Sequence, residues 1–368
     1  MPEVLDWQCV ADPRAVVRYA AESLRAGQVV AFPTDTAYAL AASALVPEAV
    51  AQLRFATNAP LEVAVTGAAA ARDWAPELSP LGLRLARRFW PGPLALESNE
   101  GVADGLASRL SGAVRQHVCP ADTVRLRAPA HPALLEVLRQ LTGPLVLAPV
   151  LMPDGQAEAV RVEQVLGTVG AGVDLVLDDG PSRFGRPATV VRVAGNSWSV
   201  LQPGVVSEEQ VQQQSACLIV FVCTGNTCRS PMAEALCKKR LADRLGCRAA
   251  DLSARGYHVV SAGVAASAGG PAAEQAVEVA RQFGADLDNH RSQPLSPELA
   301  AQADYLVGMT RSHLRALLEQ YPRLGARPRL LSPDGDIADP VGQPRAVYEE
   351  CAQQMWGHLD ELVAELQP

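Results

Sequence analysis

Leu218-Ile219-Val220-Phe221-Val222-Cys223-Thr224-Gly225-Asn226-Thr227-Cys228-Arg229-Ser230-Pro231 runs from five apolar residues into a short polar loop and out through Ser-Pro. The apolar run reads as a buried strand, and proline suits the first turn of a helix with Ser230 as its cap. A strand, a tight loop and a helix N-terminus therefore follow one another within fourteen residues. Such a loop turns successive backbone N–H groups inward, where they and the helix dipole favour an anion of phosphate size. The same field stabilises a thiolate, the attacking form of a cysteine. Arg229 is placed to grip two phosphoryl oxygens at once, which lysine cannot do. Taken alone, Cys-x5-Arg is more often a pair of small core residues in an ordinary turn. The strand before it, Gly225 inside it and Ser-Pro after it select the phosphate loop instead. A zinc site is disfavoured, because a four-residue gap with no second cysteine or histidine pair nearby gives poor tetrahedral spacing.

Downstream, strand candidates at 257–260 and 305–309 alternate with helical stretches at 272–283, 297–303, 311–319 and 345–366, and Gly246 is placed to stop the first helix. This order predicts a doubly wound, four-stranded parallel sheet. Upstream, helical stretches at 14–26, 80–89 and 132–141 alternate with apolar runs at 29–32, 61–65, 145–150, 173–177 and 189–193, a mixed α/β pattern. Between them lies the polar text VVSEEQVQQQSA, so we expect domains at 1–208 and 217–368 with a linker at 209–216. No internal repeat relates the halves.

The whole chain agrees with two folded units: 368 residues, 48% hydrophobic and 20% charged, exceed one small domain and are neither disordered nor fibrous. The net charge of −8 is spread over both halves, which argues against bulk binding of nucleic acid. Arg84, Arg87 and Arg88 cluster on one helical stretch and read as a solvated face. Eight scattered cysteines, an acidic N-terminal stretch and the absence of a membrane-length apolar run point to a cytoplasmic protein, with no membrane partner and no cofactor or metal expected. Only two lysines occur, Lys238 and Lys239, against 30 arginines.

Residues 217–368 resemble the low-molecular-weight protein tyrosine phosphatase family: VCTGNTCRSPMAEAL corresponds to its signature, Val260-Ser-Ala-Gly263 to a second element, and Asp336-Ile-Ala-Asp339-Pro340 to its acid loop. The resemblance implies Cys223 as nucleophile, Arg229 as transition-state clamp, Ser230 as hydrogen-bond donor to the thiolate, Asn226 as the brace of the loop and Asp339 as general acid. Thr224, Gly225, Asn226, Thr227, Cys228, Arg229 and Ser230 would form the phosphate cradle. The family's acid loop usually continues with aromatics that sandwich a phenol ring, but here Asp339-Pro340 is followed by Val341-Gly342-Gln343. Together with Thr227, where most members carry an aliphatic residue, this resembles the protein-arginine phosphatase branch, with Thr227 and Val341 as specificity positions. Thr227 as a neutral variant packed on the helix is the competing reading, and phosphotyrosine the competing substrate. That branch usually carries phenylalanine at the position of Val341. An arsenate reductase of this fold would need a cysteine pair beyond the loop, and none lies between Cys247 and Cys351. Cys228 stands open between structural burial and a reversible regulatory disulfide with Cys223.

Residues 13–207 resemble the YrdC-like threonylcarbamoyl-adenylate synthase family in Gly27-Gln-Val-Val-Ala-Phe-Pro33-Thr-Asp-Thr-Ala-Tyr38, Trp90-Pro-Gly-Pro93, Val124-Arg-Leu-Arg127-Ala-Pro129 and Ala188-Thr-Val-Val191. The resemblance implies a twisted α/β sandwich with an open cavity. Its catalytic text is altered: the family's Lys-x-Arg is replaced by Arg54-Phe-Ala-Thr57-Asn-Ala59-Pro60, and its Ser-Ala-Asn by Leu147-Ala-Pro-Val-Leu-Met152. A serine is lost at Ala188 and an arginine at Gln202. We expect a pseudoenzyme domain in which Thr34, Asp35, Thr36 and Arg127 line a residual pocket for a small ligand or a modified peptide. Turn chemistry and an ion pair are the plainer roles for those four. A bifunctional enzyme that keeps adenylate synthesis is the alternative.

Overall fold

The computed structural model describes residues 2–155, 157–321 and 323–366. The chain divides into two compact units, Met1–Gln214 and Ser215–Pro368. The polar stretch read as a linker is the helix Glu208–Ser215, and its single apolar side chain, Val211, is fully buried in the first unit's core. Val211 acts with a reciprocal cap, in which the Gln210 N–H donates to Ser207 Oγ at 3.2 Å and the Ser207 N–H to Gln210 Oε1 at 2.9 Å, and with Arg88 Nη1 donating to the Gln214 carbonyl at 2.6 Å, to order a segment whose periodicity carried no helical signal.

The first unit holds a ten-stranded mixed sheet. In spatial order its strands are Glu3–Asp6, Leu175–Asp178, Val30–Phe32, Ala39–Ser43, Leu145–Pro149, Glu62–Ala64, Val124–Arg127, Leu94–Ser98, Thr189–Ala194 and Ser197–Gln202. Hydrophobic clusters cover its two faces, one containing Leu40, Val63, Leu96 and Val191, the other Phe32, Ala41, Leu145 and Leu177. Apolar runs marked five of these strands. Ala39–Ser43 escaped because it is built of small residues, and 94–98 and 124–127 because charges interrupt them. Two of those charges are buried together, Arg125 Nη2 lying 2.8 Å from Glu97 Oε2, and the other Glu97 oxygen takes the exposed Arg192 Nη2 at 2.6 Å.

The second unit is a four-stranded parallel sheet ordered Tyr257–Gly263, Cys217–Cys223, Tyr305–Gly308, Arg329–Leu330. Its central strand alternates strictly. Cys217, Ile219, Phe221 and Cys223 face the cluster shared with helices Arg229–Leu245, Glu274–Gln282 and Arg345–Glu365. Val220 and Val222 face Ala300, Leu306 and Leu317 on the other side. Both faces are covered, as a doubly wound sheet requires. The chain's first strand in this sheet is flanked by the second on one side and the third on the other. Its carboxyl end is thus the topological switch point, where open α/β sheets place their ligand crevice. Cys223 is the last residue of that strand.

Candidate active site

The helix begins at Arg229, two residues earlier than its proline suggests, and Cys228 takes the cap position without a side-chain capping bond to the helix N–H groups. Ser230 is therefore free of capping. Its hydroxyl turns instead to Cys223, with Oγ 2.9 Å from Cys223 Sγ. The backbone N–H of Asn226 donates to the same sulfur at 3.2 Å. Gly246 closes the helix in the left-handed conformation at φ 61°.

Asn226 holds the loop in shape. It adopts φ 55° and is fully buried, a conformation asparagine tolerates better than most side chains. Its Nδ2 donates to Ser230 Oγ at 3.0 Å and to Ser261 Oγ at 2.9 Å, while its Oδ1 accepts from the backbone N–H of Gln293 at 2.8 Å. Its carbonyl oxygen lies 2.9 Å from His290 Nε2. Ser261 passes the network on to Glu234 Oε2 at 2.6 Å. Gly263 lets the loop approach: a Cβ there would sit 2.4 Å from the carbonyl oxygen of Thr224, too close for any other residue.

Cys223, Thr224, Gly225, Thr227, Cys228, Arg229, Asp339 and Val341 line one cavity of about 200 Å³. Every candidate of the second unit is brought to this loop, with Asn226 and Ser230 beneath it. Arg229 Nη2 donates to Asp339 Oδ2 at 2.5 Å. Thr227 Oγ1 lies 3.7 Å from Cys228 Sγ, and Cys228 Sγ lies 3.5 Å from the phenol of Tyr348. Burial pushes that phenol's pKa above its ordinary value. Cys223 and Cys228 are free thiols. The motif reading did not find His313, whose Nε2 is 3.0 Å from Thr224 Oγ1 and whose Nδ1 is 2.9 Å from Thr310 Oγ1. Its buried ring is held down at about 4, first by desolvation and then by the Arg229 charge. No spacing in the sequence connects position 313 to the loop. Ser261, by contrast, lay within the quoted Val-Ser-Ala-Gly element.

In the first unit, Thr34, Asp35, Thr36 and Arg127 are all buried but do not share one pocket. Thr36 and Arg127 line a cavity of about 340 Å³ with Arg125, Glu62, Glu158 and Gln202, while Thr34 and Asp35 line a second. Arg127 Nη2 lies 2.8 Å from both Asp35 Oδ1 and Thr36 Oγ1. Arg54, on the stretch that replaces Lys-x-Arg, spends its guanidinium on the carbonyl of Ala59 at 2.7 Å. Glu158 is raised to about 7 by burial and by the neighbouring Glu62 charge. Arg84, expected on a solvated face, is only 2% exposed, because the helix Pro80–Phe89 packs that side against the core.

A doubly wound sheet with such a loop at its switch point defines a phosphoric monoester hydrolase. Residues 218–368 match the model of the low molecular weight phosphotyrosine protein phosphatase family, and residues 22–204 match that of the Sua5/YciO/YrdC family, described as telomere recombination. The second unit is similar to the protein-arginine-phosphatase of Bacillus subtilis, 37% identical over 153 residues, covering 40% of this chain and 95% of the relative. It is also similar to a Ralstonia nicotianae relative provisionally named a low molecular weight protein-tyrosine-phosphatase, EpsP, 33% identical over 152 residues (39% and 92%). The first unit is similar to a Mycobacterium tuberculosis relative provisionally named a threonylcarbamoyl-AMP synthase, 34% identical over 195 residues (52% and 85%). The chain belongs to both families, its second unit to the phosphatases and its first to the Sua5/YciO/YrdC proteins. Among the described residues no helix is long and apolar enough to cross a membrane.

Proposed function

We propose that this protein removes phosphate from phosphoarginine side chains of proteins through a phosphocysteine intermediate, and that its first unit has lost adenylate synthesis and serves targeting or regulation. The observation that carries the first part is the sulfur of Cys223, held by Ser230 and by the Asn226 N–H on the floor of a cavity walled by Arg229 and Asp339. Cys223 attacks phosphorus, so that an S–P bond forms as the P–N bond breaks, and the departing guanidine nitrogen takes its proton from Asp339. Water then attacks phosphorus, giving its proton to Asp339 as the S–P bond breaks and inorganic phosphate leaves. General acid help of this kind contributes about 10²–10⁴ in rate. Arg229 binds Asp339 in the structure, and a phosphoryl group competes for the same guanidinium. Substrate binding therefore opens the pair and frees the carboxyl for the leaving group.

Two features favour phosphoarginine over phosphotyrosine. No aromatic side chain lines the cavity among the described residues, and Thr227 puts a hydroxyl on its wall beside an outer residue, Val341, that is 60% exposed. A guanidinium gains from that polar wall, whereas a phenol ring finds nothing to stack on. The test is hydrolysis of phosphoarginine and phosphotyrosine peptides by the full chain, with Cys223→Ser as control. Faster phosphoarginine turnover that vanishes in C223S supports the reading. Preference for phosphotyrosine sinks the substrate assignment, and activity surviving in C223S sinks the mechanism.

For the first unit, the lost contacts each contribute about 1.5–3 kcal/mol when charge-assisted. The arginines that remain beside the larger cavity are already matched, Arg127 by Asp35 and Arg125 by Glu97. Glu62 and Glu158 add acidic groups to its wall, so a triphosphate meets little free positive charge. Titration with ATP and threonine in bicarbonate buffer, read by calorimetry and pyrophosphate release, is expected to give neither saturable heat nor product. Pyrophosphate release would restore the bifunctional reading.

A further inference from the structure

Residues 33–35, 130–132 and 179–183 enclose a second cavity in the first unit, of about 220 Å³. It lies on the Asp35 side of the Arg127–Asp35 pair, while Arg127 belongs to the larger cavity. Three of the residues lining it end in buried polar atoms that no other protein group hydrogen-bonds: Asp35 Oδ2, His131 Nδ1 and Ser182 Oγ. These residues are 5%, 6% and 9% exposed. An unmatched buried polar group costs about 1–3 kcal/mol, and native cores leave few of them. Three in the wall of one cavity are unexpected in a core that serves packing alone.

The hydrogen bonds already made define what is left over. Asp35 Oδ1 accepts from Arg127 Nη2 at 2.8 Å and from the Ala130 N–H at 3.1 Å, which fixes the carboxylate and leaves Oδ2. His131 Nε2 lies 3.0 Å from Asp179 Oδ2. A carboxylate accepts, so Nε2 carries the hydrogen and Nδ1 presents a lone pair. Burial holds the ring below the ordinary imidazole value, which keeps it neutral. The unused groups are thus a carboxylate oxygen, an imidazole lone pair and a hydroxyl oxygen, three acceptors. Three acceptors call for a ligand group that donates and does not accept.

We propose that this niche binds the ammonium group of a small primary amine, whose three N–H donors match the three acceptors. The charges agree. Arg127 balances Asp35 and His131 is neutral, so the carboxylate of Asp179 is the charge left for a cation to meet, while the guanidinium of Arg183 is turned over the ring of Phe184 at 5.1 Å. The inference uses nothing from the phosphatase reading.

The test is calorimetry of the full chain with ethylammonium chloride, with tetramethylammonium, which has no N–H, as control. Saturable ethylammonium binding is expected, tetramethylammonium binding at least tenfold weaker. Ser182→Ala removes a hydroxyl that the fold leaves unpaired, and should weaken ethylammonium binding about fivefold, the effect of one hydrogen bond, without lowering the melting temperature. Asp35→Asn should weaken it further. If that variant fails to fold, the Ser182→Ala comparison still decides. Absence of saturable binding, equal binding of tetramethylammonium, or unchanged affinity in S182A overturns the proposal.

Discussion

Each unit contains one arginine–aspartate pair next to a cavity, and the two pairs differ in one respect. Arg229–Asp339 and Arg127–Asp35 both bring a guanidinium within 2.8 Å of a carboxylate, and both arginines are nearly buried, their side chains 7% and 6% exposed. The carboxylates diverge: that of Asp339 is 46% exposed and that of Asp35 only 3%. An exposed acid is resolvated when it lets go, so Arg229 can exchange it for a phosphoryl group at little cost. A buried acid has nowhere to go, and parting it from Arg127 strands two charges in the core. On the proposed mechanism the same pair is a gate in one unit and a rivet in the other. Positive charge counts toward ligand binding only when its partner can leave.

The most forceful way to break this comparison is to remove each acid in turn. Asp339→Asn should lower kcat by about 10²–10⁴, with little change in the denaturant midpoint. Asp35→Ala should do the reverse, destabilising the first unit by about 3–5 kcal/mol because Arg127 is left buried and unpaired, while phosphatase turnover measured well below the unfolding transition stays as it was. Paired kinetics and urea titrations of both variants read the two effects side by side. A stable D35A protein, or a fully active D339N one, would erase the distinction between gate and rivet.

A smaller test concerns the loop itself. Gly263→Ala places a methyl against the Thr224 carbonyl that the backbone cannot avoid, so the loop must shift. The cost is expected in the range of overpacking, about 1–3 kcal/mol, and a tenfold or greater drop in kcat/KM for any phosphoester should accompany it. Unchanged kinetics would mean that the loop is not held against the neighbouring strand.

How far the sequence reveals these features follows from their physical range. The loop was legible because its chemistry is local: strand, glycine and Ser-Pro lie within fourteen residues, so Cys223 and Arg229 could be named from it, whereas Asp339, 110 positions beyond Arg229, could be named only through the family resemblance. Ser230 had two readings, a cap from its place before Pro231 and a partner of the Cys223 sulfur from the family resemblance, and its Oγ lies 2.9 Å from that sulfur, since a hydroxyl can either accept from a helix N–H or turn to a neighbouring side chain. His313 could not be read at all, because its contact with Thr224 spans 89 positions and depends on the sheet order. In the first unit, strands 94–98 and 124–127 look too charged to be buried until Glu97 is seen to balance Arg125 and Arg192. The four residues Thr34, Asp35, Thr36 and Arg127 are adjacent in the fold, yet side-chain direction splits them between two cavities, which no one-dimensional pattern encodes.

Substrate preference is a finer measure of how the exposed pair is used. Thr227→Ile exchanges the polar wall of the cavity for an apolar one while leaving Cys223, Arg229 and Asp339 in place. The ratio of kcat/KM for phosphoarginine over phosphotyrosine peptides should fall about tenfold, the lower end of the worth of one hydrogen bond to a charged group, and it should fall mainly on the phosphoarginine side. An unchanged ratio would remove Thr227 from the specificity argument without touching the mechanism.

The smallest expected effect is on stability against pH. His313 belongs to the exposed pair's surroundings: burial and the Arg229 charge hold its folded-state value at about 4, against 6.5 for an ordinary imidazole. A histidine depressed on folding is neutral in the native protein and binds its proton more readily when unfolded, so the stabilisation is present above pH 6.5 and is lost as the pH falls from there toward 4. The second unit should therefore lose stability over that window, seen as a falling urea midpoint. His313→Gln keeps an amide within reach of Thr224 and removes the titration, so its midpoint should be flatter over the same range. A wild-type midpoint that rises on acidification would mean that His313 charges in the folded state, where the guanidinium of Arg229 opposes a second positive charge. The Asp35–Arg127 side offers the contrast, since the first unit's nearest imidazole, His131, owes its depression to burial, against the opposing pull of the Asp179 and Asp35 carboxylates.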